Sequence, residues 1–473
     1  MSIKSIILLL YALFLLLFIG AYISNPDSLI IDDIGFLYGV LFFFLAILYT
    51  YSLNGSFSIL LTVSFVFLIL YAQRLVNLMF LTASSSNSIY LRYDFLTSDD
   101  VNLAIIFLDI LLGTLILIHF FLKPKKSVTM AFGSEMRSLS VRQFIHKFYS
   151  VILVSTIVYR VLAYDPIISK AWPDSALIKI LIYLLEYSHV FLFFTLAVLY
   201  SGAVKIGGLE RRQIKRNIIL FICSVIVTLS KSMFIVFVII LMSAYLMYGK
   251  KSVSLKYLFV FTMISLLTIL TILVQSKVER YISTGDMGPD NSMIEDKNIF
   301  LEGLSLMSRR LGGVDWIALS FSQAHGAELS KEVTFINSSK RIINRFFNGE
   351  SKPFSVLNDG RIIPEIIRGM PKWTEARYAE YMTLNGKLVS MIGWGGIAGF
   401  VFIYGIALAI IRSRITAPIK NYLLYSILFT YVFTGDSPEL VKAFMFSIIY
   451  YLAVIRLLIA VISTKKRSVK FCK

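Results

Sequence analysis

The first apolar run of the chain, residues 5–24, reads SIILLLYALFLLLFIGAYIS and contains no charged residue. A helix of about 20 such residues is long enough to cross the roughly 30 Å hydrocarbon layer of a bilayer. Eleven further apolar runs follow, at about 35–53, 57–80, 101–122, 149–164, 178–204, 217–229, 232–248, 257–275, 388–411, 421–434 and 441–463. The sequence therefore predicts an all-α polytopic membrane protein with about twelve transmembrane helices.

The composition of the whole chain agrees with this interpretation. Of its 473 residues, 57% are hydrophobic and 16% are charged, whereas a soluble domain has about 45–50% apolar and about 25% charged residues. An ordinary soluble enzyme is therefore excluded. Neither of the two cysteines, Cys223 inside an apolar run and Cys472 in the basic tail, is placed to form a disulfide in an external loop.

The net charge of +18 is explained by orientation in the membrane. With the N-terminus in the cytoplasm, the cytoplasmic segments hold 23 Lys and Arg and the short external loops hold 3. Cytoplasmic loops of membrane proteins carry this excess of Lys and Arg. We therefore expect both termini in the cytoplasm and contacts with membrane lipid. We expect no nucleic-acid partner, because the basic clusters are short and lack interleaved aromatic residues.

One connection is much longer than the others and divides the chain into three parts. Residues 1–275 are predicted to hold nine transmembrane helices, 276–387 a large extracytoplasmic loop, and 388–473 three more helices with a basic cytoplasmic tail. Residues 276–385 contain 14 basic and 14 acidic residues, and long loops are translocated regardless of charge. Helical spacing of apolar residues in 299–324 and 333–347 predicts short helices on or between the outer ends of the spans.

The sequence lacks the common motifs for nucleotides, metals and redox cofactors. It has no phosphate-binding P-loop, no G-x-G-x-x-G after a strand, no H-E-x-x-H and no pair of cysteines at metal-ligand spacing. We therefore expect no metal and no cofactor. An enzyme of this kind would need a substrate that is already activated, and a transporter would run on a gradient.

Several cationic residues lie within or near the predicted spans, where placing a charge costs free energy, or in the large external loop. Arg74, Arg160 and Lys231 lie at or near the predicted outer ends of spans, and a cation deep in the bilayer costs about 2.5–3.5 kcal/mol on insertion scales. They could extend to lipid headgroups or open into a polar cavity. Arginine is suited to phosphate because its planar fork donates parallel hydrogen bonds. The predicted diphosphate-binding set is Arg309, Arg310, Arg160, Arg74, Lys231, Arg361 and Arg377, and the alternative for each loop arginine is a solvated surface position.

All four tryptophans, Trp172, Trp316, Trp373 and Trp394, fall on the predicted outer side of the membrane. Tryptophans in this position form an interfacial belt, which is the favoured interpretation, or they stack on sugar rings.

Three motifs resemble those of the bacterial oligosaccharide repeat-unit polymerases, the Wzy-type O-antigen and capsule polymerases. A T-x-S-R-like turn is matched by Thr228-Leu229-Ser230-Lys231, with Lys in place of the usual Arg. An arginine-rich run in the large loop is matched from Arg309 to Asp315. A T-E segment that leads through G-x-x-G into the next span is matched by Thr374-Glu375, Gly393 and Gly396.

The resemblance implies a GT-C-like architecture in the bacterial inner membrane and a glycosyltransferase activity. Two undecaprenyl-pyrophosphate-linked glycans would meet at the outer face, and the growing chain would pass to a hydroxyl of the incoming repeat unit. Asp315 is the first candidate for the proton acceptor, followed by Glu375 and His325. A chain-length regulator and a flippase are the implied partners. The alternatives are an O-antigen ligase, a twelve-helix transporter or flippase of lipid-linked glycans, and a non-enzymatic scaffold.

Overall fold

The computed structural model describes residues 2–24, 30–53, 59–79, 96–122, 139–162, 189–200, 206–228, 312–323, 326–332 and 383–412, with the single residues 241, 244 and 337. Within these ranges every regular element is a helix and no strand occurs. The all-helical class predicted from the sequence is confirmed for this part of the chain.

The helices are numbered α1 to α12 in chain order. The first six are α1 Ile3–Ser24, α2 Asp33–Ser52, α3 Leu61–Phe67, α4 Gln73–Met79, α5 Ser98–Phe121 and α6 Leu139–Leu162. The others are α7 His189–Tyr200, α8 Gly208–Thr228, α9 Gly313–Phe321, α10 Gly326–Glu332, α11 Leu384–Ile392 and α12 Gly396–Arg412. A π-helical turn, Leu68–Ala72, joins α3 to α4, and a 3-10 turn, Gly393–Gly395, joins α11 to α12.

Among the described residues, five helical segments are long and apolar enough to cross a membrane. They are Ile3–Ser24, Asp33–Ser52, Leu61–Met79, Ser98–Phe121 and Leu384–Arg412. They coincide with five of the runs read from the sequence, which supports a membrane protein. The count of twelve spans and the large external loop stay predictions, because runs such as 257–275 and 441–463 lie outside the described residues.

The directions of the described spans agree with the predicted alternation across the membrane. Phe18 near the end of α1 stacks on Phe36 near the start of α2, with ring centroids 5.7 Å apart, so these helices are antiparallel. His119 near the end of α5 lies against Tyr404 of α12, and Phe107 earlier in α5 lies against Trp394. The polypeptide therefore runs in the same direction in α5 and α12, as predicted for spans four and ten.

Helices α6 and α8 begin earlier than the sequence runs indicated. The runs start at 149 and 217, whereas the helices start at Leu139 and Gly208. The extra turns carry the basic residues that the sequence analysis assigned to cytoplasmic loops. Arg142 of α6 donates two hydrogen bonds to buried Glu210 of α8, at 2.7 and 3.1 Å, and this ion pair fastens the two extensions together.

The main core encloses α9, which is only nine residues long. At 1.5 Å per residue it spans about 14 Å, too short to cross a bilayer. Its residues Gly313 to Leu319 are all buried, so of the positions predicted for a short helix in 299–324, on or between the spans, the packing of α9 fits the second. It is packed mainly against α5 and α11.

Close packing of α9 on α11 depends on a glycine. A Cβ at Gly386 would lie 2.8 Å from the Cβ of Trp316 and 3.1 Å from its backbone carbonyl carbon. Contacts this short with backbone atoms cannot be relieved by a change of rotamer, and overpacking typically costs about 1–3 kcal/mol.

We therefore expect Gly386→Ala to lower the apparent midpoint of thermal unfolding of the detergent-solubilised protein. The matched control is Gly113→Ala in α5, where an added Cβ meets nothing within 4 Å and alanine favours the helix by about 0.5–1 kcal/mol. Equal midpoints for the two variants would contradict the proposed packing of α9 on α11.

Candidate functional site

The centre of the candidate site is a buried ion pair between Arg74 of α4 and Asp315 of α9. Nη2 of Arg74 lies 2.9 Å from Oδ2 of Asp315, and Nε lies 3.2 and 3.1 Å from Oδ1 and Oδ2. The two side chains are only 2% and 0% exposed. Two residues that the sequence analysis selected separately, 241 positions apart, are therefore brought into direct contact.

The position of Asp315 follows from the start of α9. Gly312 is the N-cap of this helix and provides no side-chain cap. Asp315 lies in the first turn, where the positive end of the helix dipole favours a carboxylate. The carboxylate is thus stabilised by its own helix and by the guanidinium of Arg74.

The position of Arg74 follows from the π-helical turn that precedes it. Leu68–Ala72 holds one more residue than an α-helical turn would, and Arg74 is the second residue after it. Such π-bulges are frequent at functional sites. The start of α9 packs on this turn, because a Cβ at Gly313 would lie 2.6 Å from Cε1 of Tyr71.

Helix α11 closes the site from a third direction. Nδ2 of Asn385 donates a hydrogen bond to the hydroxyl of Tyr71 at 2.8 Å, and both side chains are buried. Thr383 caps α11 by accepting a hydrogen bond from the backbone N–H of Gly386. Lys387 of the same helix is also buried. The buried charged residues named at this site are therefore two cations, Arg74 and Lys387, and one anion, Asp315.

This geometry limits what each member of the pair can do in the conformation described. The carboxylate of Asp315 is buried and accepts hydrogen bonds from Nε of Arg74, so in this arrangement it is engaged with a cation. The guanidinium directs its Nε and Nη2 at a protein carboxylate. The contacts assign the pair to holding α9 in place, while the roles of Asp315 as a base and of Arg74 as a phosphate ligand stay predictions.

The other predicted site residues are not placed relative to this pair. Arg160 belongs to α6 by its backbone, and nothing is described of its side chain. The remaining residues lie outside the described parts of the chain, namely Arg309, Arg310, Lys231, Arg361, Arg377, Glu375 and His325.

Sequence reasoning missed Asp109, a buried carboxylate in α5. Asp109 is 6% exposed, and neither of its carboxylate oxygens has a hydrogen-bond partner among the described residues. It lies seven residues after Asn102, on the same helix face. Asn102 donates hydrogen bonds to both carboxylate oxygens of Asp32 at 3.0 and 3.1 Å. The available signal was a single acidic residue inside the run 101–122, a rare placement that marks function in membrane helices.

Comparison with known proteins assigns no relatives. No family model, no curated protein and no solved structure matches the chain.

Breaking the ion pair on one side is expected to destabilise the protein strongly. Arg74→Met leaves the Asp315 carboxylate buried without its cation, which typically costs about 3–5 kcal/mol. The double variant Arg74→Met/Asp315→Leu removes both charges and should recover much of this loss. The measurement is the apparent midpoint of thermal unfolding in detergent for the two single variants and the double variant.

The control is Arg211→Met, because Arg211 is exposed on α8 and surface substitutions usually change stability by less than about 0.5 kcal/mol. Additive effects of the two single variants would show that Arg74 and Asp315 do not interact.

Proposed function

We propose that this protein polymerises polyprenyl-pyrophosphate-linked oligosaccharide repeat units at the outer face of the bacterial inner membrane, as Wzy-type polymerases do. The observation that carries the proposal is the buried Arg74–Asp315 pair. It ties α9, and with it the chain segment that carries the arginine-rich motif, to the third predicted span.

The support comes from sequence order combined with this contact. Arg309 and Arg310 immediately precede Leu311 and the N-cap Gly312 of α9. An anchored α9 therefore fixes one end of the arginine-rich segment to the helix bundle. An enzyme that handles a membrane-bound diphosphate needs cations held at a constant position relative to the membrane, since misplacement of about 1 Å can cost about 10²-fold in rate.

The proposed reaction is one glycosyl transfer. A hydroxyl oxygen of the incoming repeat unit bonds to the anomeric carbon of the growing chain, and the bond from that carbon to the pyrophosphate oxygen breaks. The pyrophosphate leaves on its polyprenyl lipid, and the hydroxyl proton passes to a base. Arg309 and Arg310 would stabilise the charge that develops on the leaving oxygen. Because Asp315 is engaged by Arg74, Glu375 and His325 become the preferred proton acceptors.

Transport of a lipid-linked glycan is a second candidate, and Asp109 is the observation that favours it. A buried carboxylate without a partner among the described residues is typical of transport pathways through a membrane. The two functions predict different products after loss of the gene. Loss of a polymerase leaves a single repeat unit on the acceptor, whereas loss of a flippase or an O-antigen ligase leaves no glycan there.

We expect Arg310→Ala to abolish polymer in the native host and to leave single repeat units on the acceptor. The physical reason is the loss of a cation that stabilises the leaving pyrophosphate. The measurement is the ladder of surface polysaccharide on a gel, with the amount of protein in the membrane determined in parallel.

The control for this variant is Lys331→Ala in α10, a position at which the cation is exposed to solvent. It should leave the ladder unchanged. Normal polymer length in Arg310→Ala would remove this residue from the site, and normal polymer after deletion of the gene would refute the proposed function itself.

A further inference from the structure

The turn between α11 and α12 interrupts a segment that is otherwise apolar and helical. Gly393 has φ +57° and ψ −134°, a conformation that favours glycine. Gly393 is the first residue of the 3-10 turn Gly393–Gly395, and α12 begins at Gly396. Leu388 of α11 packs close to Gly396 and Gly399 of α12, so the two helices pack on each other across the turn.

The backbone of this turn is open to its surroundings. Gly395 is exposed, and in a glycine the exposed surface belongs to the backbone. Gly395 directly precedes α12, and the first N–H groups of a helix have no partner within that helix. Within hydrocarbon such groups are tolerated only where they line a water-filled cavity or are covered by protein. The surface at Gly395 therefore needs a polar environment rather than acyl chains.

An aromatic cluster borders the turn. The ring of Trp394, which is 43% exposed, lies 5.0 Å from the ring of Phe321 and 6.1 Å from that of Phe107, measured between centroids. Phe321 is the last residue of α9, six positions after Asp315, which corresponds to about 9 Å along a helix. The exposed tryptophan thus packs against the last residue of the helix that the buried ion pair anchors.

The depth of Trp394 argues against an interfacial belt. Phe107 is the tenth of 24 residues in α5, about 14 Å along a helix that is about 36 Å long. If α5 is centred on a hydrocarbon layer of about 30 Å, Phe107 lies roughly 10 Å below the nearer boundary. Belt tryptophans lie at headgroup level, so with this placement Trp394 would lie deeper than the belt favoured from the sequence.

We propose that Trp394, supported by Phe321, is a stacking site for a sugar ring of the lipid-linked glycan. The inference rests on the proposed function and names the part of the substrate that this surface binds. A sugar ring combines an apolar face, which suits the indole, with hydroxyl groups that bond to the open backbone at Gly395. An isoprenoid tail would satisfy the indole alone and leave the backbone without partners.

The first test does not depend on activity. The protein is reconstituted in vesicles, and tryptophan fluorescence is quenched either with aqueous iodide or with lipids brominated on the acyl chain. The difference between the unaltered protein and Trp394→Phe gives the contribution of Trp394. Quenching of this contribution by iodide is expected, because the site opens to water. Quenching by brominated lipid alone would overturn the proposal, because Trp394 would then face acyl chains.

The second test uses the polysaccharide ladder in the native host. Trp394→Ala is expected to reduce long polymer at least tenfold, whereas Trp394→Phe, which keeps an aromatic face, should retain most of it. The matched control is Phe402→Ala on α12, since Phe402 is 71% exposed and lies two turns beyond the break. A normal ladder for Trp394→Ala, in cells where Arg310→Ala abolishes polymer, would overturn the stacking site.

The two tests distinguish a failure of the proposed function from a failure of the sugar-stacking site. If deletion of the gene leaves polymer intact, the proposed function fails and the sugar site fails with it, whatever the quenching shows. If deletion removes polymer but Trp394→Ala behaves like the Phe402→Ala control, only the sugar site fails.

Discussion

The ion pair between Arg74 and Asp315 is the contact on which the position of α9 among its neighbouring helices depends. A charged group buried among apolar helices is costly unless it has a partner of opposite charge and satisfied hydrogen bonds. The partner comes from a helix far along the chain, so the pair fixes a long-range contact that apolar packing alone would not specify. Around it, Gly313 and Gly386 permit close approach of α9 to its neighbours, and the Tyr71–Asn385 hydrogen bond adds α11.

The five described spans could be predicted from the sequence because their signal is local. Twenty apolar residues identify a candidate span without knowledge of its neighbours, and the flanking charge predicts its direction. Arg74 and Asp315 could also be selected one by one, the first for its cost near a bilayer and the second for its motif. Their pairing could not be predicted, because nothing local to either residue indicates contact across 241 positions. The π-helical turn has no recognisable sequence signal either.

Errors at helix ends have a physical reason. Helices α6 and α8 extend beyond the N-terminal ends of the apolar runs, because backbone hydrogen bonding can continue outside the hydrocarbon. The helical turns outside the hydrocarbon can then carry charged side chains. The end of an apolar run marks the boundary of the hydrocarbon layer, whereas the end of a helix is set by its capping and packing. The bidentate Arg142–Glu210 pair shows such packing beyond the apolar part.

The π-helical turn has a consequence for how the third span can vary. One surplus residue in a helix rotates everything after it by about 100°, since an α-helix has 3.6 residues per turn. The direction of the guanidinium is therefore set by a count of residues rather than by the identity of any one of them. Relatives that lack the surplus residue would keep an unbroken span but would point position 74 away from Asp315. A gap or insertion between 68 and 72 would thus distinguish chains that share this internal contact from chains that share only the hydrophobic pattern.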